Sequence, residues 1–256
     1  VAFSFWTKEH TMNESIQDIM ERMGRAAHRA AQGLAYAETE KKDRALALMA
    51  DLIEERRDSI SKANSKDLEQ GRKNGLSEAM LDRLELTDAR IEAMSAGIRE
   101  IISLPDPAGK VLSETERPSG IRIRKISVPI GAVGIIYESR PNVTADAASL
   151  CLKAGNSVLL KGGKESIGSN IAIGSVLEEA VKQAELPEGS VQVVPVTDRE
   201  AVSRMLRLDS CLNLIIPRGG EGLIRFTVEN STIPVIKHYK GVCAVYADKA
   251  GSLQCC

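Results

Sequence analysis

Apolar residues in the first hundred positions recur at helical spacing. Ile16, Ile19, Met20 and Met23 share one face in an alanine-rich stretch, which predicts a helix over residues 13–34. Leu46, Met49 and Ile53 form a second stripe and predict a helix over 43–60, with Glu54, Glu55, Arg56 and Arg57 near its end. Ile91, Met94, Ile98, Ile101 and Ile102 predict a third helix over 87–104, which Thr87 and Asp88 start and Pro105 and Pro107 stop. The pattern changes after Pro107. Segments 110–115 and 121–128 flank Gly120, and Ile121 and Ile123 alternate with Arg122 and Arg124, as in a β-hairpin with one polar face.

From Gly131 onward, short apolar runs alternate with helical stretches. Strands are predicted at 132–137, 157–161, 191–196, 212–216, 233–236 and 242–247. Helices are predicted at 143–154 (closed by Gly155), along Ile173, Val176, Leu177, Ala180, Val181 and Ala184, and at 199–208 and 222–228. Buried strands alternating with helices predict an α/β, doubly wound parallel sheet, in which ligands lie outside the carboxyl ends of the strands.

Three of those ends carry candidate chemistry. The strand ending at Tyr137 runs into Glu138-Ser139-Arg140-Pro141-Asn142, the one ending at Lys161 into Gly162-Gly163-Lys164-Glu165, and the one ending at Ile216 into Pro217-Arg218-Gly219-Gly220. Each brings a cation, and two bring paired glycines that let backbone approach a ligand closely. Any one basic, glycine-rich loop is most simply a solvated turn; three in register favour a polyanion such as a dinucleotide. The motif is not G-x-G-x-x-G, because Gly131 and Gly134 are spaced wrongly. It is not a P-loop either, since Val158 and Glu165 stand where glycine and Ser or Thr are required.

The 256 residues are 43% hydrophobic and 27% charged, ample for a core and unlike a disordered chain. Thirty-four basic and 35 acidic residues leave a net charge of −1, so no overall field recruits nucleic acid or membrane. No apolar run is long enough for a membrane span, and the cytoplasm is the expected location. Cys151, Cys211, Cys243, Cys255 and Cys256 are odd in number and lack C-x-x-C spacing, and His10, His28 and His238 are far apart, so neither a disulfide framework nor a metal site is expected.

Val128-Pro129-Ile130-Gly131-Ala132-Val133-Gly134 with Pro141-Asn142, and the run from Lys153 through Lys161, resemble the aldehyde dehydrogenase superfamily. Within it, the runs Tyr137 through Thr144, Lys161 through Glu165 and Ile215 through Gly220, with Asn74 through Leu84, resemble the γ-glutamyl phosphate reductases. The resemblance runs from about Met12 to Asp248. It implies NADPH-dependent reduction of L-glutamyl 5-phosphate to L-glutamate 5-semialdehyde and phosphate in proline biosynthesis, through a thioester on a cysteine.

It also implies roles. Asn142 would be an oxyanion donor, with capping of a helix starting at Val143 as the alternative or additional role. Lys161, Gly162, Gly163, Lys164, Pro217, Arg218 and Gly219 would bind the cofactor, Lys161 at the adenosine ribose. Lys164 stands where NAD-preferring relatives carry glutamate and so favours NADP. Arg140 would meet the substrate's phosphate or carboxylate, or else pair with Glu138 or another loop.

The family's nucleophilic cysteine matches none of the five here, so the catalytic domain is expected to be missing and this chain inactive alone. The expected organisation is a leader or tail at 1–11, the N-terminal helical part of the cofactor domain at 12–107, a β-hairpin oligomerisation arm at 108–128, a Rossmann-like core at 129–248 and an aberrant terminus at 249–256. A homo-oligomer is expected of the full-length family. The rival reading is a non-catalytic nucleotide-binding or oligomerisation fragment.

Overall fold

A computed structural model describes residues 14–237. Helix α1 (Ile16–Leu34) begins in a capping box: the Ser15 hydroxyl accepts from the Asp18 N–H at 3.2 Å, and the Asp18 carboxylate accepts from the Ser15 N–H at 3.3 Å. The helix predicted over 43–60 divides in two. Helix α2 (Thr39–Glu55) ends and α3 (Arg57–Lys73) begins at Arg56, whose φ of −98° and ψ of 13° leave the helical range. The division falls where charged residues interrupt the apolar stripe. Helix α3 buries only Ile60, Asn64, Leu68 and Gly71, a seam too narrow and too polar to mark a helix by periodicity. Helix α4 (Glu78–Leu84) follows, then α5 (Asp88–Ser103), whose Thr87 cap accepts from the Arg90 N–H at 3.3 Å.

Strands β1 (Val111–Glu116) and β2 (Arg122–Ile126) form an antiparallel hairpin. Its polar face is laced by Arg124–Glu114 at 3.0 Å and Arg122–Glu116 at 3.8 Å. Every residue of both strands is exposed, the apolar ones included.

The main sheet contains β3 (Ala132–Tyr137), β4 (Ser157–Lys161), β5 (Val191–Val193) and β6 (Leu214–Arg218), all parallel, in the order β5-β4-β3-β6. The chain winds outward from β3 through β4 to β5, then returns to place β6 on the other side of β3. The topological switch therefore lies between β3 and β6. Helices α6 (Asn142–Lys153) and α7 (Ile167–Gln183) cover one face together with α2 and α5; α1 and α8 (Arg199–Met205) cover the other. The pleat divides the core accordingly: Val133, Ile135, Tyr137, Val158 and Leu160 pack toward the first layer, and Ala132, Ile136 and Leu159 toward the second.

Several predicted boundaries shift. Strand β5 ends at Val193, and α8 stops at Met205. Strand β6 starts later than residue 212 and takes in Pro217 and Arg218, which the sequence reading put in the following turn. Proline is tolerated there because β6 borders the sheet among the described residues. Helix α9 (Glu221–Asn230) is longer than the predicted 222–228. Segment 233–236 forms a single parallel bridge, Ile215 to Val235, rather than a strand. The segment predicted at 242–247 and the leader at 1–11 lie outside the described residues.

Two buried lysines lock the helical layer. Lys42 meets Asp106 at 2.5 Å, and Lys153 meets Asp43 at 2.5 Å while also donating to the Ile102 carbonyl. Burial works against ionisation of Asp106, yet bonds from Lys42, Thr39 and the Ala108 N–H overcome it and hold its pKa below the ordinary value.

Candidate functional site

The parallel registers bring the three basic loops to one edge. Ile136 lies level with Lys161 on one side and Pro217 on the other, and Tyr137 lies beside Arg218. Glu138 then ties the loops together. Its N–H donates to the Arg218 carbonyl at 3.2 Å, and its carboxylate accepts from the Gly220 N–H at 2.9 Å. The second glycine pair packs against the same segment, since a Cβ on Gly163 would lie 3.3 Å from the Ser139 nitrogen.

The cations differ in setting. Lys161 is only 4% exposed, and its ammonium donates to the Gly162 carbonyl at 2.9 Å. Burial lowers its pKa, with Glu165 and Asp198 opposing. It forms no ion pair among the described residues, so two of its three N–H donors remain for another partner. Lys164, Arg140 and Arg218 are exposed and also lack ion pairs among the described residues. The alternative pairing of Arg140 with Glu138 is not formed; the Glu138 carboxylate meets the Gly220 amide instead.

The glycines have a different cause from the one the sequence suggested. A Cβ on Gly162 would stand 2.1 Å from Asn170 Nδ2, and one on Gly219 would stand 2.5 Å from Glu138 Cδ. The protein's own side chains fill both approaches. Asn170 belongs to a buried polar chain: Tyr137 Oη lies 2.7 Å from Thr144 Oγ1, Thr144 donates to Asn170 Oδ1 at 3.2 Å, and Asn170 Nδ2 donates to Ser166 Oγ at 3.0 Å.

The N-terminus of α7 is filled too. The Asp67 carboxylate, from α3, accepts from the N–H groups of Gly168 at 3.2 Å and Ser169 at 2.7 Å, and from the Ser169 hydroxyl at 2.6 Å. The helix end that receives phosphate in many mononucleotide-binding units therefore already holds an internal anion.

Asn142 is the first residue of α6, not its cap. Pro141 occupies the cap position with helical φ and ψ, so no extended residue presents a side chain to the free N–H groups. The Asn142 amide instead donates to Asp146 Oδ2, one turn on, at 3.2 Å. Burial raises the Asp146 pKa, and the Asn142 bond opposes that rise.

A family model described as the aldehyde dehydrogenase family matches residues 8–217. The chain belongs to this family. It is 50% identical over 243 residues to a γ-glutamyl phosphate reductase of Desulfotalea psychrophila, a match covering 95% of this chain and 57% of that protein. A crystal structure of the γ-glutamyl phosphate reductase of Thermotoga maritima, 44% identical, superposes with a TM-score of 0.84, covering 85% of this chain and 53% of that one. The Saccharomyces cerevisiae protein of the same name is 30% identical with a TM-score of 0.80, covering 92% and 60%. The chain thus spans a little over half the length of these relatives.

In this aldehyde dehydrogenase family member, Cys151 is a poor nucleophile. Burial pushes the Cys151 thiol up to about 12, and Cys211 is buried, its thiol beside the Ser210 hydroxyl at 3.7 Å. Cys243, Cys255 and Cys256 lie outside the described residues. Among the described residues no cluster of His, Cys, Asp and Glu is arranged to hold a metal ion, and no helix is long and apolar enough to cross a membrane. The sequence does not point to Asp67 or to the role of Thr144, and it names Glu138 only as a possible partner of Arg140, not as the acceptor of the Gly220 amide. Asn170 leaves a trace, as a polar residue on the apolar face of α7.

Proposed function

We propose that residues 14–237 form the cofactor-binding part of an NADPH-dependent reductase acting on L-glutamyl 5-phosphate, which yields L-glutamate 5-semialdehyde and phosphate in proline biosynthesis. The observation that carries this reading is 50% identity, along 95% of the chain, to a protein of that name. The residues present also suit a dinucleotide: basic loops stand together at the carboxyl ends of β4, β3 and β6, and the end of β4 carries a buried ammonium with two unspent donors. A bound nicotinamide would supply the hydride.

On this reading Lys161 donates to ribose hydroxyls from a dry position, where such a bond is strong. Lys164, exposed at the turn after Gly163, pairs with a 2′-phosphate and sets the preference for NADPH over NADH. Gly162 and Gly163 shape the backbone that carries these lysines, and Pro217, Arg218 and Gly219 face the cofactor's phosphates from the next strand. Asn142 has two amide N–H groups. One bonds Asp146, which orients the amide, and the other is left for a developing oxyanion. Arg140 attracts the substrate's phosphate or carboxylate.

On this reading residues 14–237 bind NADPH, and neither Cys151 nor Cys211 serves as the nucleophilic thiol. The hairpin β1–β2, with Ile121 61% exposed and Val111, Leu112 and Ile126 also exposed, serves as a contact to a second copy of the chain. The test of the cofactor reading is Lys164→Glu, which should reduce the preference for NADPH over NADH at least tenfold in titration calorimetry; an unchanged preference refutes that role. Reduction of glutamyl phosphate by the 256-residue polypeptide would overturn its assignment as a binding unit.

A further inference from the structure

The buried polar chain between β3 and α7 runs in one direction. Thr144 has a single hydroxyl proton, and it is directed to Asn170 Oδ1 at 3.2 Å. The 2.7 Å contact with Tyr137 must therefore have the phenol as donor. Asn170 Nδ2 passes the sequence to Ser166 Oγ at 3.0 Å, and Ser166 Oγ donates to the Gly163 carbonyl at 3.4 Å. Tyr137 is 2% exposed and the other three side chains are fully buried, so no water replaces a missing partner.

The chain ends on the turn that follows Lys161. The Gly162 carbonyl in that turn holds the Lys161 ammonium, and Asn170 occupies the space a Cβ on Gly162 would need. Thr144 itself sits on α6, two residues after Asn142. One hydroxyl thus connects the turn that orients the buried lysine to the start of the helix bearing the amide.

We infer that Thr144 is a positioning residue: through Asn170 and Ser166 it fixes the Gly162–Gly163 backbone, and with it the Lys161 ammonium, relative to Asn142. The inference rests on the dinucleotide reading for its ligand but not for its geometry. Thr144→Val keeps the shape and removes the relay, stranding the Tyr137 hydroxyl and Asn170 Oδ1.

The test is titration of the 256-residue protein with NADPH at a temperature well below melting, alongside amide hydrogen exchange. Thr144→Val should bind about tenfold more weakly than wild type, and Thr144→Ser, which keeps the hydroxyl, within about twofold. Amides at 163–166 should exchange faster in Thr144→Val only. Wild-type affinity in Thr144→Val, even with a lower melting temperature, overturns the inference, because it shows the hydroxyl acting only on stability. If wild type binds no NADPH, the dinucleotide reading fails, and hydrogen exchange alone decides: an unchanged 163–166 segment overturns the positioning role. Should Thr144→Val not fold, Ser166→Ala removes the last link to the Gly163 carbonyl and should weaken binding by a similar factor; no change in affinity again overturns it.

Discussion

Asp67 reaches from α3 to close the N-terminus of α7, and removing it has a consequence that can be worked out from two residues. Asp67→Ala loses three bonds to a charged acceptor, at 3.2, 2.7 and 2.6 Å. A lost cap costs about 1 kcal/mol, and hydrogen bonds to a charged group contribute about 1.5–3 kcal/mol. Water reaching the half-buried Gly168 amide recovers part of this, while the bond from Asn64 to Ser169 at 3.1 Å is common to both proteins and does not enter the difference. A net loss of about 2–3 kcal/mol is expected, or roughly 4–12 °C in melting temperature for a domain of this size.

Gly168 supplies the control. A Cβ there would lie 2.7 Å from Asp67 Oδ1, so Gly168→Ala should destabilise the wild type by displacing the carboxylate. With Asp67 already gone, the clash disappears, and alanine should stabilise the helix by up to about 1 kcal/mol. Urea unfolding of the two single variants and the double variant at pH 7 should therefore show a coupling of about 1 kcal/mol or more. Additive effects, or an Asp67→Ala variant within about 0.5 kcal/mol of wild type, would refute the capping account.

The remaining predictions concern buried charge and thiols. Burial, and secondarily the Glu188 carboxylate, push Glu178 on α7 up to about 7 from its ordinary value of 4.5. The protonated acid's contribution is complete below pH 4.5 and disappears as pH rises to 7, a loss of about 3 kcal/mol. Glu178→Gln should remove this slope in unfolding measurements from pH 4.5 to 8, and parallel profiles for variant and wild type would count against it. Lys42→Ala leaves Asp106 buried without its cation and should cost about 3 kcal/mol, whereas Arg124→Ala on the exposed hairpin should cost about 0.5 kcal/mol or less. Similar melting shifts for the two would contradict that ranking. With its thiol at about 12, Cys151 is almost wholly un-ionised at pH 8, so iodoacetamide should label it far faster after unfolding than before. Equal labelling rates in the two states would show that the half-buried Cys151 thiol is not held protonated by its surroundings.

The parallel sheet was legible because β3 and β4 are buried on both faces and read as unbroken apolar runs, and α5 because its stripe repeats without fault. Helix α3 was not, since its buried seam includes Asn64 and Gly71, which apolar periodicity does not register. The site was half legible. Its cations and glycines stand out at the strand ends, and their convergence followed from the fold class. The reasons for the glycines did not, because Asn170 and Glu138 meet them only in three dimensions. Asn142 misled for a local reason: Asn before a helix reads as a cap, but Pro141 takes that place and Asn142 begins the helix itself. The same limit hides Asp67, which acts on a helix about a hundred residues away.

The central claim is that the carboxyl ends of β3, β4 and β6 bind a dinucleotide through the buried Lys161. Calorimetric titration of the 256-residue protein with NADPH, repeated with Lys161→Met, tests it directly. The account predicts saturable one-to-one binding by the wild type and at least tenfold weaker binding by a folded Lys161→Met variant. No binding by the wild type, or equal affinity in the two proteins, would contradict it.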